Sequence, residues 1–195
     1  MALRITTASG ETVHPHIPAL ARLRQAVFRE WPYLYEGTEA YEADYLALYA
    51  RSTHAALVIA WDGEEPVGFA TCMPMLDETP NVVEPFRAAG LDIAEWFYFG
   101  ESVLLRPYRG QGAGVRFFEG REAHAQSCGA RRAAFCAVQR QAGHPARPAG
   151  ATTLEGFWRN RGFALRPGLT CTMRWRGLGD DGDSGHLMQF WTKAL

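Results

Sequence analysis

The sequence predicts an α/β (α+β) fold, a single domain over residues 1–195 in which a mixed sheet of about seven strands is covered by helices. Two observations carry this. Strand-like and helix-like apolar patterns follow one another in the order strand, two helices, three strands, helix, strand, helix, two strands. The 195 residues are 47% hydrophobic, enough to bury one sizeable core, and no internal repeat or composition break marks a second domain.

The first strand is "LRITTA", which alternates apolar and polar residues. After the His14-Pro15-His16 break, Leu20, Leu23 and Val27 stand at helical spacing, and beyond Trp31-Pro32 the residues Tyr41, Tyr45, Leu48 and Tyr49 share the face of a second helix. "AALVIAW" and "PVGFATCM" are strand-length runs joined by Asp62-Gly63-Glu64-Glu65, and Asp-Gly between such runs predicts a hairpin. "PMLDETPNVVEPFRAAGLDI" is rich in turn formers and reads as an irregular excursion. "EWFYFGESVLL" is a long strand, stopped at Arg106-Pro107 because proline cannot donate to a ladder. Phe117, Phe118, Ala125 and Cys128 space a helix that Gly129 ends. "RRAAFCAV" is the next strand. In "TTLEGFWRNRGF", Thr152 and Glu155 have the spacing of a capping box and Gly162 closes a short helix. "LTCTMRW" and "HLMQFW" are the last two strands, the latter pairing within the chain or across a homodimer.

Composition excludes several classes. A formal net charge of -1 and near absence of lysine argue against a nucleic-acid partner. With no apolar run long enough to span a bilayer, and no charged segment followed by an apolar one near Met1 and Ala2, a cytoplasmic protein without a membrane partner is expected. Cys72, Cys128, Cys136 and Cys171 lack C-x-x-C spacing, so reduced thiols are expected rather than a metal site or a disulfide framework.

One segment asks for more. "RPYRGQGAGVRFFEGREAHA", residues 106–125, sets Gly110, Gly112 and Gly114 at the doorway of a helix, although glycine inside a helix costs about 1 kcal/mol relative to alanine. A tight, closely packed strand-to-helix turn is one reason. An anion site is the other: unpaired N–H groups at a helix start attract negative charge, and missing side chains let a phosphate approach. The letters fit neither G-x-x-x-x-G-K-[ST], for want of the lysine, nor G-x-G-x-x-G.

Arg109-Gly110-Gln111-Gly112-Ala113-Gly114 resembles the R/Q-x-x-G-x-G/A signature of the GNAT superfamily of N-acetyltransferases. The strand "ESVLL" before it, the helix after it, the "FWRNRGF" helix and the order of elements extend the resemblance over essentially the whole chain. It implies a GNAT-like fold with a splayed cleft for acetyl-CoA, which acts as cosubstrate without a metal. The pyrophosphate would rest on the amides of Arg109, Gly110, Gln111, Gly112, Ala113, Gly114 and Val115, and the pantetheine arm along Val103, Leu104 and Leu105, with Trp158 counted among the cofactor contacts. The implied reaction moves an acetyl group to a primary amine of a small molecule or peptide by direct attack on the thioester. The alternative is a coenzyme A-binding sensor without transfer activity.

Glu101, the only carboxylate inside "WFYFGESVLL", is the first choice for the base, since burial among aromatic residues is expected to raise its pKa; a structural carboxylate is the other reading. The family's usual acid, a tyrosine, is replaced here by Trp158, whose indole N–H is no proton donor at neutral pH. Tyr98 is placed among the expected catalytic residues in that role, which Tyr108, Cys136 or water could equally fill unless the thiolate leaves unassisted, and His54 and His144 are bases by residue type alone. "EWPYLYEGTEAYEADY" mixes five aromatic residues with five carboxylates, which suits a cationic acceptor and equally suits helix packing with a solvated acidic face.

Overall fold

The computed structural model describes residues 3–195, with the side chains of Ala40 and Asp44 outside the described set. The chain runs β1 (Arg4–Ser9), α1 (Ile17–Phe28), α2 (Glu39–Arg51), β2 (Ala56–Asp62), β3 (Glu65–Pro74), α3 (Pro80–Ala88), β4 (Trp96–Leu104), α4 (Ala113–Ser127), β5 (Arg132–Val138), α5 (Glu155–Asn160), β6 (Ala164–Arg176) and β7 (Asp183–Ala194). The seven strands form one open sheet in the order β1-β2-β3-β4-β5-β7-β6. Every neighbouring pair is antiparallel except β4 and β5. Thr38 caps α2 by accepting a hydrogen bond from the Tyr41 amide, and the hairpin between β2 and β3 turns at Gly63, whose φ is 59°.

Three expectations change. The stretch expected to be irregular contains α3. Pro80 occupies its first turn, where a missing N–H costs nothing, and the hydrogen bond lost at Pro85 is offset by burying Val82, Val83 and Phe86. Phe86 packs edge-on against Trp96 and Phe190. Thr152 and Glu155 form no capping box, because Glu155 is the first residue of α5 rather than its third; its carboxylate instead accepts from Arg159 at 3.0 Å. The last two strands are longer than expected, β6 absorbing Pro167 and Gly168 in an irregularity between Leu165 and Thr170. β7 pairs inside the chain, with β5 on one edge and β6 on the other.

Helices cover both faces of the sheet. On one, Leu20, Leu23, Leu46 and Tyr49 of α1 and α2 pack on Leu57, Ile59, Phe69 and Val103. On the other, Phe118 and Ala125 of α4 and the neighbouring Phe163 pack on Phe97, Phe99, Phe135 and Trp191. Among the described residues no helix is long and apolar enough to cross a membrane.

Candidate active site

The gap between β4 and β5 is the architectural centre of the site. The two strands pair only at Trp96 with Arg132, Phe97 with Ala133 and Tyr98 with Ala134, although β4 continues to Leu104 and β5 to Val138. A bulge in β4 accompanies the separation: Ala70 of β3 faces Ser102 while Cys72 faces Phe99, so Gly100 and Glu101 carry the extra residue. A Cβ at Gly100 would collide with Tyr49 Oη and Thr71 Oγ1, which explains the glycine. Gly100→Ala is therefore expected to cost about 1–3 kcal/mol by overpacking, read as a lower urea midpoint at unchanged m-value. Past the bulge, Val103 and Leu104 commit their side chains to the cores under α1 and α4 respectively, so the main chain is what they offer at the gap.

The glycine turn follows β4. Gly110 and Gly112 have φ of 77° and 83°, and nothing lies within 4 Å of a Cβ built on either, so backbone conformation and not close packing requires them. Gly114 is different, since its Cβ would meet the Phe157 ring at 3.3 Å. The Arg109 amide donates to Arg106 O at 3.2 Å and the Val115 amide to Gly112 O at 3.1 Å. Among the described residues the amides of Gly110, Gln111, Gly112, Ala113 and Gly114 donate no hydrogen bond. Unpaired N–H groups at the start of a 15-residue helix carry the partial positive charge that attracts an anion. Arg109 fastens the turn by donating from Nε to Leu104 O at 2.9 Å and from Nη1 to Glu30 at 2.8 Å, a contact that lowers the Glu30 pKa.

Behind the bulge lies a buried polar network. Arg24 donates to Glu101 Oε1 and, at 2.6 Å, to Glu42 Oε2, while its guanidinium carbon sits 4.2 Å from the centre of the Tyr45 ring. Tyr35 donates to Glu42 Oε1 at 2.6 Å, and Thr71 donates to Glu101 Oε2 at 2.7 Å. Burial opposes the charge on Arg24, but Glu101, Tyr45 and Glu42 more than restore it and raise its pKa. Glu101 thus sits beside the gap with both oxygens engaged, a more constrained carboxylate than a base lodged only among aromatic rings.

The other expected residues are distributed unevenly. Tyr98, the last residue of β4 paired with β5, is buried with its hydroxyl 3.2 Å from Cys136 Sγ, and burial, with Cys136 adding to it, holds its pKa well above the usual phenol. Trp158 packs edge-on against Phe135 and Trp191, each at 5.1 Å. Tyr108 donates to Asp62 at 2.8 Å on the surface. His144 lies against Trp31, and the carbonyl of exposed His54 meets His124 near the far end of α4. The acidic and aromatic segment is largely spoken for: Glu30 pairs with Arg109, Glu36 faces Arg29 and Arg176, and Glu42 is held by Arg24. Its Tyr45 ring already carries a cation, the protein's own Arg24. The carboxylate of Asp44 lies outside the described side chains. Glu78, which sequence reasoning passed over, lies beyond β3, is only 9% exposed, and has its pKa pushed up to about 7 by burial. Among the described residues no group of His, Cys, Asp or Glu is arranged to hold a metal ion.

The family model described as "Acetyltransferase (GNAT) family" matches residues 20–149. The chain belongs to the GNAT acetyltransferase family. No curated protein matches this GNAT acetyltransferase, but solved structures resemble its whole length. The ribosomal-protein-alanine N-acetyltransferase from Brucella melitensis is 15% identical at a TM-score of 0.64, with 99% of this chain and 100% of that one covered. A putative acetyltransferase from Salmonella typhimurium, yncA, solved with acetyl-CoA, is 13% identical at 0.63, covering 100% and 95%. An N-acetyltransferase from Thermoplasma acidophilum in complex with coenzyme A is 13% identical at 0.56, covering 100% of each chain. The shared architecture is the GNAT fold, with its open mixed sheet and flanking helices.

Proposed function

We propose that this GNAT acetyltransferase uses acetyl-CoA to acetylate a primary amine of a small molecule or peptide. The observation that carries the reading is the run of five unpaired amides at Gly110–Gly114, reached directly from the separated end of β4. These amides would hold the pyrophosphate, and the main chain of Val103, Leu104 and Leu105 the pantetheine arm. Trp158, packed on Phe135 beside the gap, would flank the same arm. When bound, the thioester supplies an acyl carbon open to direct attack by an amine, chemistry that asks for no metal ion. The similar proteins from S. typhimurium and T. acidophilum, solved with acetyl-CoA and with coenzyme A, support this choice of ligand.

Arg24, Glu42 and Glu101 together leave one negative charge in excess beside the gap, which favours an ammonium-bearing acceptor over an anionic one. Tyr98 presents a hydroxyl that burial keeps protonated, and it would hydrogen-bond toward the departing sulfur. Four free cysteines suit a reducing cytoplasm.

Isothermal titration with acetyl-CoA, and with coenzyme A alone, tests the reading. Both are expected to bind with Kd on the order of micromolar. Failure of both to bind would leave the glycine turn without its anion and end the transferase reading.

A further inference from the structure

The connection between α1 and α2, residues 29–38, is clamped from outside those helices. Arg140, just past the end of β5, donates from Nε to Pro32 O and from Nη2 to Tyr33 O, each at 2.7 Å. Trp175 of β6 adds a bond from Nε1 to Tyr33 O at 3.3 Å. The ring of His186 on β7 lies flat on Trp175, with centroids 3.7 Å apart and planes 18° apart, and its Nδ1 stands 3.3 Å from Arg140 Nη1. Tyr33 packs on the cluster that holds Tyr98 of β4 with Cys136 and Val138 of β5, so the clamp secures the connection against the two strands that border the gap.

These contacts fix the proton on the imidazole. A guanidinium N–H only donates, so His186 Nδ1 accepts from Arg140, and the ring proton sits on Nε2, which donates to Trp175 O at 3.3 Å. A second proton would fall on Nδ1 and set N–H against N–H. Charged and titratable groups surround the ring from each packed element: Arg140 from beyond β5, Asp180 from the turn between β6 and β7, and Tyr33 of the connection against Trp175. Arg174 and Arg176 flank Trp175 on β6, and Asp183 precedes the ring on β7. Burial lowers the His186 pKa most; Arg140 works the same way, while the Trp175 carbonyl and Asp180 oppose them.

We propose that His186 is a pH-operated latch: neutral, it seats Arg140 on the α1–α2 connection, and protonated, it repels Arg140 and loosens residues 32–36. The latch belongs to the packing of this chain and stands apart from the transferase reading. Because the fold holds His186 below the ordinary imidazole value, acid protonates the loosened state first. The latch is therefore shut above about pH 6.5 and gives way as pH falls below it. Mild acid softens one flank of the gap.

Three amides report on the connection: Leu34 donates to Glu30 O, Tyr35 to Phe28 O and Glu36 to Arg176 O. With the chemical pH dependence of exchange divided out, hydrogen exchange at these amides in the wild type should be about tenfold faster at about pH 5.5 than at about pH 7.5, the ratio set by lying one unit below the ordinary imidazole value. His186→Asn keeps an acceptor near the place of Nδ1 and cannot titrate, so its protection should be the same at both pH values. Arg140→Met should exchange fast at both. His144 lies against Trp31 of the same connection, and His144→Asn should keep the wild-type acid response. Equal protection in the wild type at both pH values would overturn the latch, and that comparison needs no variant to fold. An acid response that survives in His186→Asn, or disappears in His144→Asn, would overturn it as well.

Discussion

Gly112→Val should weaken acetyl-CoA binding by about 100-fold or more while the protein remains folded. Gly112 sits at φ 83°, a region that a β-branched residue enters only with strain, and it precedes the first turn of α4. Valine would relieve the strain by rotating the peptides on either side, which carry the amides that face an anion. Nothing lies within 4 Å of its Cβ, so the core is not overpacked, and the backbone strain alone should cost about 1–3 kcal/mol, a loss that lowers the melting point without unfolding the protein. Gly114→Val acts by another route, pushing on Phe157, and should disturb the packing of α5 on α4 as well as binding. Calorimetry against acetyl-CoA beside a melting curve separates the two. A Gly112→Val protein with parental affinity would remove the amides from the binding site.

Arg24→Met should destabilise the fold by about 3–5 kcal/mol, because it leaves two carboxylates buried without their cation. Glu42 is 1% exposed and Glu101 6%, so water cannot take the place of the guanidinium. A loss of that size is a large share of the 5–15 kcal/mol by which domains are typically stable, roughly. The variant should unfold at much lower urea. Neutralising both partners, as Arg24→Met with Glu42→Gln and Glu101→Gln, should return most of the loss, since the expense lies in unpaired charge rather than in the missing contacts. If Arg24→Met alone cost less than about 1 kcal/mol, the network would have to be open to solvent.

The acid network and the glycine turn differ in how well the letters disclose them. A turn that works through its main chain needs glycines at fixed places, and Gly110 and Gly112 stand in the sequence as plainly as in the structure. Arg24 and Glu101 lie 77 residues apart, and neither local pattern says that they meet. Glu78 was harder still, because what distinguishes it is an oxygen without a partner, a property of everything around it and of no residue near it in sequence. The missed helix α3 shows the opposite failure: its prolines advertise a turn, and only the hydrophobic surface offered by Trp96 and Phe190 makes the helix worth forming. The strands were legible in kind and short in extent, since the polar ends of β6 and β7 are held by each other rather than by a core.

The place of β7 between β5 and β6 has a temporal meaning. Residues 132–138 present an edge to which residues 183–194 must return, and β6 joins the sheet only through that returning strand. As the chain emerges from the ribosome, the far half of the sheet therefore stays a bare edge and a loose strand until residues 183–194 have been synthesised, a long-range closure of the kind that folds slowly. β5, one wall of the gap, therefore gains its second neighbour only once residues 183–194 have returned to it.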